Sequence, residues 1–207
     1  MDPKYWMPVV AYLLGSIPVG WIVARLFYKK DIRTEGSGNI GATNALRIFG
    51  TTVGVTVLVL DMLKGVIAVL LAGHFFTASH PLVPICGLLA ILGHVFPIWL
   101  KFKGGKGVAT AGGVFLALAP LSLLFALISF VLVVARTRYV SLGSIVGACV
   151  FGLSIVIFQI LGQEINWALL ALAVIVVLMI IIKHRQNIQR LWQGQENKIS
   201  FKKKGQS

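Results

Sequence analysis

The sequence predicts an all-α polytopic membrane protein: a compact bundle of seven transmembrane helices, some short, with the N-terminus outside and the C-terminus cytoplasmic. Three observations carry that expectation. Of 207 residues, 57% are hydrophobic and only 12% are charged, and several apolar runs are long enough to cross hydrocarbon. Lys and Arg gather in a few connections and in the stretch from Lys183 to Lys204. Pro120 divides the one apolar stretch that conflicts with the charge pattern.

The apolar segments run over residues 5–27, 51–73, 81–100, 111–135, 139–161 and 167–182. A helix of about 20 residues crosses a bilayer, so a simple count gives six spans. Charge disagrees with six. Arg25, Lys29, Lys30, Arg33 and Arg47 flank or occupy the first connection, Lys101, Lys103 and Lys106 a later one, and the tail is basic throughout. The connections near residues 74–80 and 162–166 hold no Lys or Arg. Placing every basic connection inside requires an odd number of crossings. Two short helices over residues 107–118 and 121–135, split at Pro120, return Arg136 and Arg138 to the inside and raise the total to seven. Such helices reach only roughly 18 to 22 Å, a length tolerated when neighbours bury them or the bilayer thins. Five spans with one re-entrant segment is the alternative.

Composition also sets limits. The net charge of +13 suggests nucleic acid, but the basic residues flank apolar spans and form no separate domain, which fits a cytoplasmic membrane face instead. Cys86 and Cys149 lie inside apolar stretches, so no disulfide framework is expected. The first apolar run follows only Lys4 and lacks a cleavage site, so it reads as a retained span. Glycines inside the spans, such as Gly143, Gly147 and Gly152, favour close helix packing in one domain over residues 1–207. Asp61 and Lys64, three apart, share a helical face as a neutralising pair or as part of a site.

Three polar segments carry the chemistry. In EGSGNIGATNALR, Gly36, Gly38 and Gly41 permit tight turns. Ser37, Asn39, Thr43 and Asn44 supply neutral hydrogen-bonding groups, and Arg47 supplies a planar cation suited to phosphate. A helix starting at Ala42 would direct backbone N–H groups at an anion. In FKGGKGVAT, Gly104, Gly105 and Gly107 surround Lys106 ahead of a helix, as in a phosphate nest, although the P-loop spacing is absent. In KHRQNIQRLWQGQENK, His184 and Asn187 share a face if the last span continues, and Glu196, the tail's one acid, holds a basic residue or the first loop. His184 can bind phosphate or move a proton. Ser144, six residues past Arg138, offers a further hydroxyl or packs a helix, while His94, followed by Pro97, orients the glycine loop. Parity puts all three segments at one face. There they form a cationic, glycine-lined pocket that reads an anion while the bundle takes a hydrophobic chain. No catalytic triad, paired acids or metal cluster is evident, and none of the four histidines has Asp five positions on. An anion transporter would place such groups near the bilayer midplane, and a lipid-binding scaffold would not need the three segments to converge.

The segments GSGNIGATNALR, LGHVFP followed by KFKGGKGVAT, and HRQNIQRLWQGQE, in that order, give the whole chain a resemblance to the bacterial acyl-phosphate-dependent glycerol-3-phosphate acyltransferases. That resemblance implies an integral inner-membrane enzyme facing the cytoplasm, without cofactor or metal. It implies transfer of a fatty acyl group from acyl phosphate to the sn-1 hydroxyl of glycerol 3-phosphate, releasing lysophosphatidic acid and inorganic phosphate. No covalent acyl-enzyme is needed, because acyl phosphate is already activated. By the same resemblance Ser37, Asn39, Thr43, Asn44, Arg47, Gly104, Gly105, Lys106, Gly107, His184 and Asn187 surround the substrates, and the residues themselves add Ser144 to the substrate-binding set. Ser37, Arg47, Lys106 and His184 serve catalysis; His94 and Glu196 are structural. Membrane lipid is the remaining partner, with no nucleic acid and no obligate protein partner.

Overall fold

The computed structural model describes residues 2–77, 80–162 and 165–199, so Lys202, Lys203 and Lys204 of the basic tail lie outside the described residues. Those residues form ten α-helices: α1 (Pro3–Ser16), α2 (Val19–Tyr28), α3 (Ala42–Phe49), α4 (Thr51–Phe75), α5 (Leu82–Val95), α6 (Val108–Leu118), α7 (Pro120–Thr137), α8 (Val140–Leu161), α9 (Trp167–Lys183) and α10 (Arg185–Trp192). Two 3₁₀ turns, Ile32–Thr34 and Ile98–Leu100, complete the set.

Among the described residues four helices are long and apolar enough to cross a membrane: Thr51–Phe75, Leu82–Leu100, Pro120–Thr137 and Val140–Leu161. Counting each bent pair, α1 with α2 and α9 with α10, as one span gives six. The α1–α2 bend of 42° was not foreseen from the apolar run 5–27. Pro18 explains it, because proline has no N–H to continue the helix ladder. At α9–α10 the helix breaks by 52° at His184, so the last span does not continue straight into the tail.

The stretch divided by Pro120 does form two helices. Pro120 opens α7 at its first position, where a missing N–H costs nothing. The preceding α6 has 11 residues and rises only about 16 Å. Neighbours bury it: Thr110, Ala111, Gly113, Val114 and Phe115 are shielded. Glycine sets the approach. A Cβ on Gly65 would collide with the Thr110 carbonyl, and one on Gly113 with the Met62 carbonyl, so α4 and α6 touch backbone to backbone. Gly15 and Gly93 serve the α1–α5 contact in the same way.

The main core runs through α1, α4, α5, α6, α7, α8 and α9. A second cluster, including Ala24, Ile32, Ile40, Ala45 and Val57, seats α2 and α3 on α4. Outward faces are apolar, as at Val59, Leu70, Leu132 and Ile160, which suits a lipid solvent. His94 in the last turn of α5, Val108 at the start of α6, Val140 at the start of α8 and His184 at the end of α9 all border one cavity. Successive helices therefore end and begin at the same pole of the bundle.

Gly113→Val should lower thermal stability in detergent by about 2 kcal/mol, because α6 cannot back away from α4. Gly73→Ala meets nothing within 4 Å and should leave stability unchanged or slightly higher, within about 1 kcal/mol. Melting curves of the two variants against the parent check both.

Candidate active site

The cavity at that pole measures about 150 Å³ and is walled by the three polar segments together with α4, α5, α6 and α8. Asn44 organises the first wall. Held at 1% exposure on α3, it donates from Nδ2 toward the carbonyls of Ile32 (3.1 Å), Glu35 (3.1 Å) and Asn39 (2.8 Å). Its Oδ1 accepts from the Ser37 N–H at 2.8 Å. Asn39 Oδ1 in turn accepts from the Gly41 N–H at 2.9 Å. Asn44 therefore shapes the loop that carries Ser37 and Thr43 to the rim, its own polar atoms already engaged. Gly36 and Gly38 adopt positive φ (59° and 70°), the left-handed turns this loop needs. Arg47, one turn along α3, donates from Nη2 to the Asn197 carbonyl at 3.1 Å, and its Nε is buried without a partner among the described residues.

The second wall corrects the nest expected at residues 104–107. The N–H groups of Gly104 and Gly105 donate to the Val95 and His94 carbonyls at 3.2 and 3.1 Å. They stitch the loop onto the end of α5 and are not directed at the cavity. Only Lys106 and Gly107 line it, followed by Val108 and Ala109 of the first turn of α6. Gly107 has φ of 83°, which turns the chain into α6 with that helix's free N–H end toward the cavity. Gly104 and Gly105 are glycine for packing: a Cβ would strike the His94 carbonyl and Pro97 in one case and the His94 ring in the other.

The third wall is a hydrogen-bonded strap. Lys106 Nζ donates to Asn187 Oδ1 in a short contact. Asn187 Nδ2 donates to Glu196 Oε1 at 2.7 Å, as does the Ser141 hydroxyl at 2.9 Å. Arg190 Nε donates to Glu196 Oε2 at 2.8 Å. The Ile199 N–H donates to the Arg138 carbonyl at 2.9 Å, fastening the segment across the α7–α8 junction. Burial opposes ionisation of Glu196, but bonds from Arg190, Asn187 and Ser141 outweigh it and hold its carboxyl below the usual range. Ser141 was missed from the sequence; its spacing after the paired arginines carried no signal distinct from Ser144. The Ser144 hydroxyl donates back to the Val140 carbonyl at 2.9 Å and also borders the cavity.

His184 sits just past the last turn of α9. Its Nδ1 lies 2.8 Å from the Ile180 carbonyl, which can only accept, so Nδ1 carries the proton and Nε2 keeps its lone pair. Burial, with Lys106 close by, pushes its pKa down to about 4. Lys106 is likewise pushed down to about 8, chiefly by burial, with Glu196 opposing and Arg190 and Arg47 assisting. Among the described residues, Arg47, Lys106, Asp61 and Glu196 line the cavity, and Lys64 and Arg190 stand against its two carboxylates. Lys64 is paired with Asp61 and Arg190 with Glu196, which leaves Arg47 and Lys106 to balance an outside charge of about minus two.

Fold and site together define a helical membrane protein with a cavity at one pole that Arg47 and Lys106 line. Residues 5–194 match the family model described as glycerol-3-phosphate acyltransferase. A glycerol-3-phosphate acyltransferase of Trichlorobacter lovleyi is 52% identical over 192 residues, covering 91% of this chain and 94% of that one. Two crystal structures of PlsY (YgiH), an integral membrane glycerol 3-phosphate acyltransferase, are also similar, each match covering 95% of both chains. Its glycerol 3-phosphate form is 40% identical with a TM-score of 0.87, and its lysophosphatidic acid form 38% identical with a TM-score of 0.83. The chain belongs to the glycerol-3-phosphate acyltransferase family.

Affinity for a phosphate monoester should weaken as pH rises through about 8, because the lysine loses its charge while the ester, already dianionic, does not change. Between about pH 7 and about pH 9 the ammonium population of a group with that pKa falls roughly tenfold. Calorimetric titration across that range checks it, and Lys106→Arg should flatten the decline.

Proposed function

We propose that the chain transfers a fatty acyl group from acyl phosphate to the sn-1 hydroxyl of glycerol 3-phosphate, releasing lysophosphatidic acid and inorganic phosphate without an acyl-enzyme intermediate. One observation carries this reading. The cationic cavity continues directly into an apolar groove of about 90 Å³ between α6, α7, α8 and α9, with Val108, Phe130 and Ser144 bordering both. Phosphate at one end and hydrocarbon at the other is the chemistry of an acyl donor entering from the bilayer. The proteins to which the chain is similar are described as acting on glycerol 3-phosphate, and one was captured in a lysophosphatidic acid form.

In this reaction the glycerol hydroxyl oxygen attacks the acyl carbonyl carbon, and the bond from that carbon to the phosphate oxygen breaks. The phosphate leaves with the electron pair. The hydroxyl proton passes to His184 Nε2 or to a phosphate oxygen of the bound substrates. Arg47 and Lys106 hold the phosphates and bring the reactants together, which is where alignment gains most of its rate. Ser37, Asn39 and Thr43 position the glycerol, Asn187 holds Lys106, and Gly107 with the start of α6 offers N–H groups to the anion. Asn44, Gly104 and Gly105 act by shaping the two loops, and Glu196 by tying down the strap.

The proposed placement is a single domain over residues 1–207 in the bacterial plasma membrane. It crosses seven times, with the N-terminus outside and the cavity facing the cytoplasm. Counting α1 with α2 as one span, α9 as another and short α6 as a full crossing gives seven. The alternation of helix ends around the cavity and the basic residues at that pole support this count.

Purified protein in detergent should release phosphate from acyl phosphate only when glycerol 3-phosphate is present. Turnover with acyl-CoA or acyl carrier protein but not with acyl phosphate would overturn the donor. Arg47→Ala should lower kcat/KM by about 10- to 100-fold, as expected for loss of a charge-assisted contact. Ala148→Trp, filling the groove, should cut turnover of a long-chain donor by at least about tenfold, while calorimetry shows glycerol 3-phosphate binding unchanged.

A further inference from the structure

A buried ionic cluster forms part of the cavity wall, outside the three polar segments. Asp61 and Lys64 stand one turn apart on α4 and His94 in the last turn of α5; their exposures are 1%, 4% and 4%. Lys64 Nζ has three close partners, one in an ion-pair contact and two in hydrogen bonds. They are Asp61 Oδ1 at 2.8 Å, His94 Nδ1 at 2.8 Å and the Ile17 carbonyl at 3.1 Å, the last at the break between α1 and α2.

The contact with His94 decides its tautomer. An ammonium can only donate, so at 2.8 Å Nδ1 must accept. The 3.4 Å separation between Nδ1 and Asp61 is too long for a strong hydrogen bond and does not compete. The neutral ring therefore carries its proton on Nε2. That edge lies against Gly105, where a Cβ would occupy the ring nitrogen's place, and both His94 and Asp61 border the cavity beside Lys106 and Gly107. The His94 carbonyl meanwhile accepts the Gly105 N–H. One residue thus grips the glycine loop by its backbone and faces it with a fixed N–H.

Resting on the proposed reaction, we infer that His94 is a further substrate-binding residue. Its Nε2–H is a neutral donor to the phosphate ester held at Lys106 and Gly107, and Asp61 and Lys64 are positioning residues that fix the tautomer. A neutral donor here adds a hydrogen bond without a third cation. The ester's two charges stay matched to Arg47 and Lys106.

The test uses the full protein in detergent with ¹⁵N-labelled histidine, the His94 signals being assigned by their loss in His94→Gln. The expected spectrum has an unprotonated Nδ1 and a protonated Nε2 that shifts when glycerol 3-phosphate is added. A proton on Nδ1, or an Nε2 signal unmoved by saturating glycerol 3-phosphate, overturns the inference. In kinetics, His94→Leu should raise KM for glycerol 3-phosphate about tenfold with a much smaller change in kcat. His94→Gln, whose amide can donate from a similar place, should recover most of that loss. The neutral double variant D61N/K64M, which strands no buried charge, should share the KM defect; a folded double variant with parental KM overturns the positioning role. Should either variant fail to fold, the labelled parent protein still decides. Absence of glycerol 3-phosphate binding by the parent would sink the functional reading, whereas binding with an unmoved Nε2 sinks only this inference.

Discussion

Two cations that form no ion pair among the described residues, at the end of a bundle built for hydrocarbon, are the constraint that the rest of the structure serves. Charge in such surroundings is expensive unless paired and hydrogen-bonded. Among the described residues, the carboxylates beside the cavity are accordingly committed. Asp61 holds Lys64, and Glu196 takes bonds from Ser141, Asn187 and Arg190. Arg47 and Lys106 instead bond to neutral oxygens, the Asn197 carbonyl and Asn187 Oδ1, which orient them without cancelling their charge. The cavity remains electropositive because its neighbours are satisfied among themselves.

Bringing those two cations together takes close backbone contact between remote parts of the chain. Arg47 sits on α3, Lys106 ahead of α6, and Asn187 on α10. Glycines at the α4–α6 contact remove the side chains that would separate the helices, which draws the start of α6 toward α4. The shortness of α6 belongs to the same arrangement. Its rise of roughly 16 Å falls well short of a hydrocarbon core of about 30 Å, and surrounding helices cover it. The strap from Glu196 to Ile199 then closes the side that helices leave open.

Much of this was legible in the sequence, for identifiable reasons. Charge parity with one proline located the split between α6 and α7, since proline has few places in a helix and Pro120 took one of them. The three polar segments stood out because glycine, asparagine and arginine are conspicuous between apolar runs, and the residues bordering the cavity come largely from them. What stayed hidden depends on partners distant in sequence. Gly104 and Gly105 read as anion donors because nothing local shows that carbonyls of α5 take their N–H groups. Asn44 read as a ligand for the same reason, although loop carbonyls occupy its amide. The pairing of Asp61 with Lys64 followed from helical spacing, but the third member, His94, is 30 residues from Lys64 on another helix.

The two cavity histidines show why residue type alone could not assign their roles. Both are buried and both use Nδ1 for a structural bond, yet the partners are of opposite kind. The Ile180 carbonyl accepts, so His184 is left with a lone pair on Nε2. The Lys64 ammonium donates, so His94 is left with a proton on Nε2. One neutral ring is left to accept a hydrogen bond at Nε2 and the other to donate one. In both, the choice is made at Nδ1, by a helix carbonyl in one case and a buried ion pair in the other.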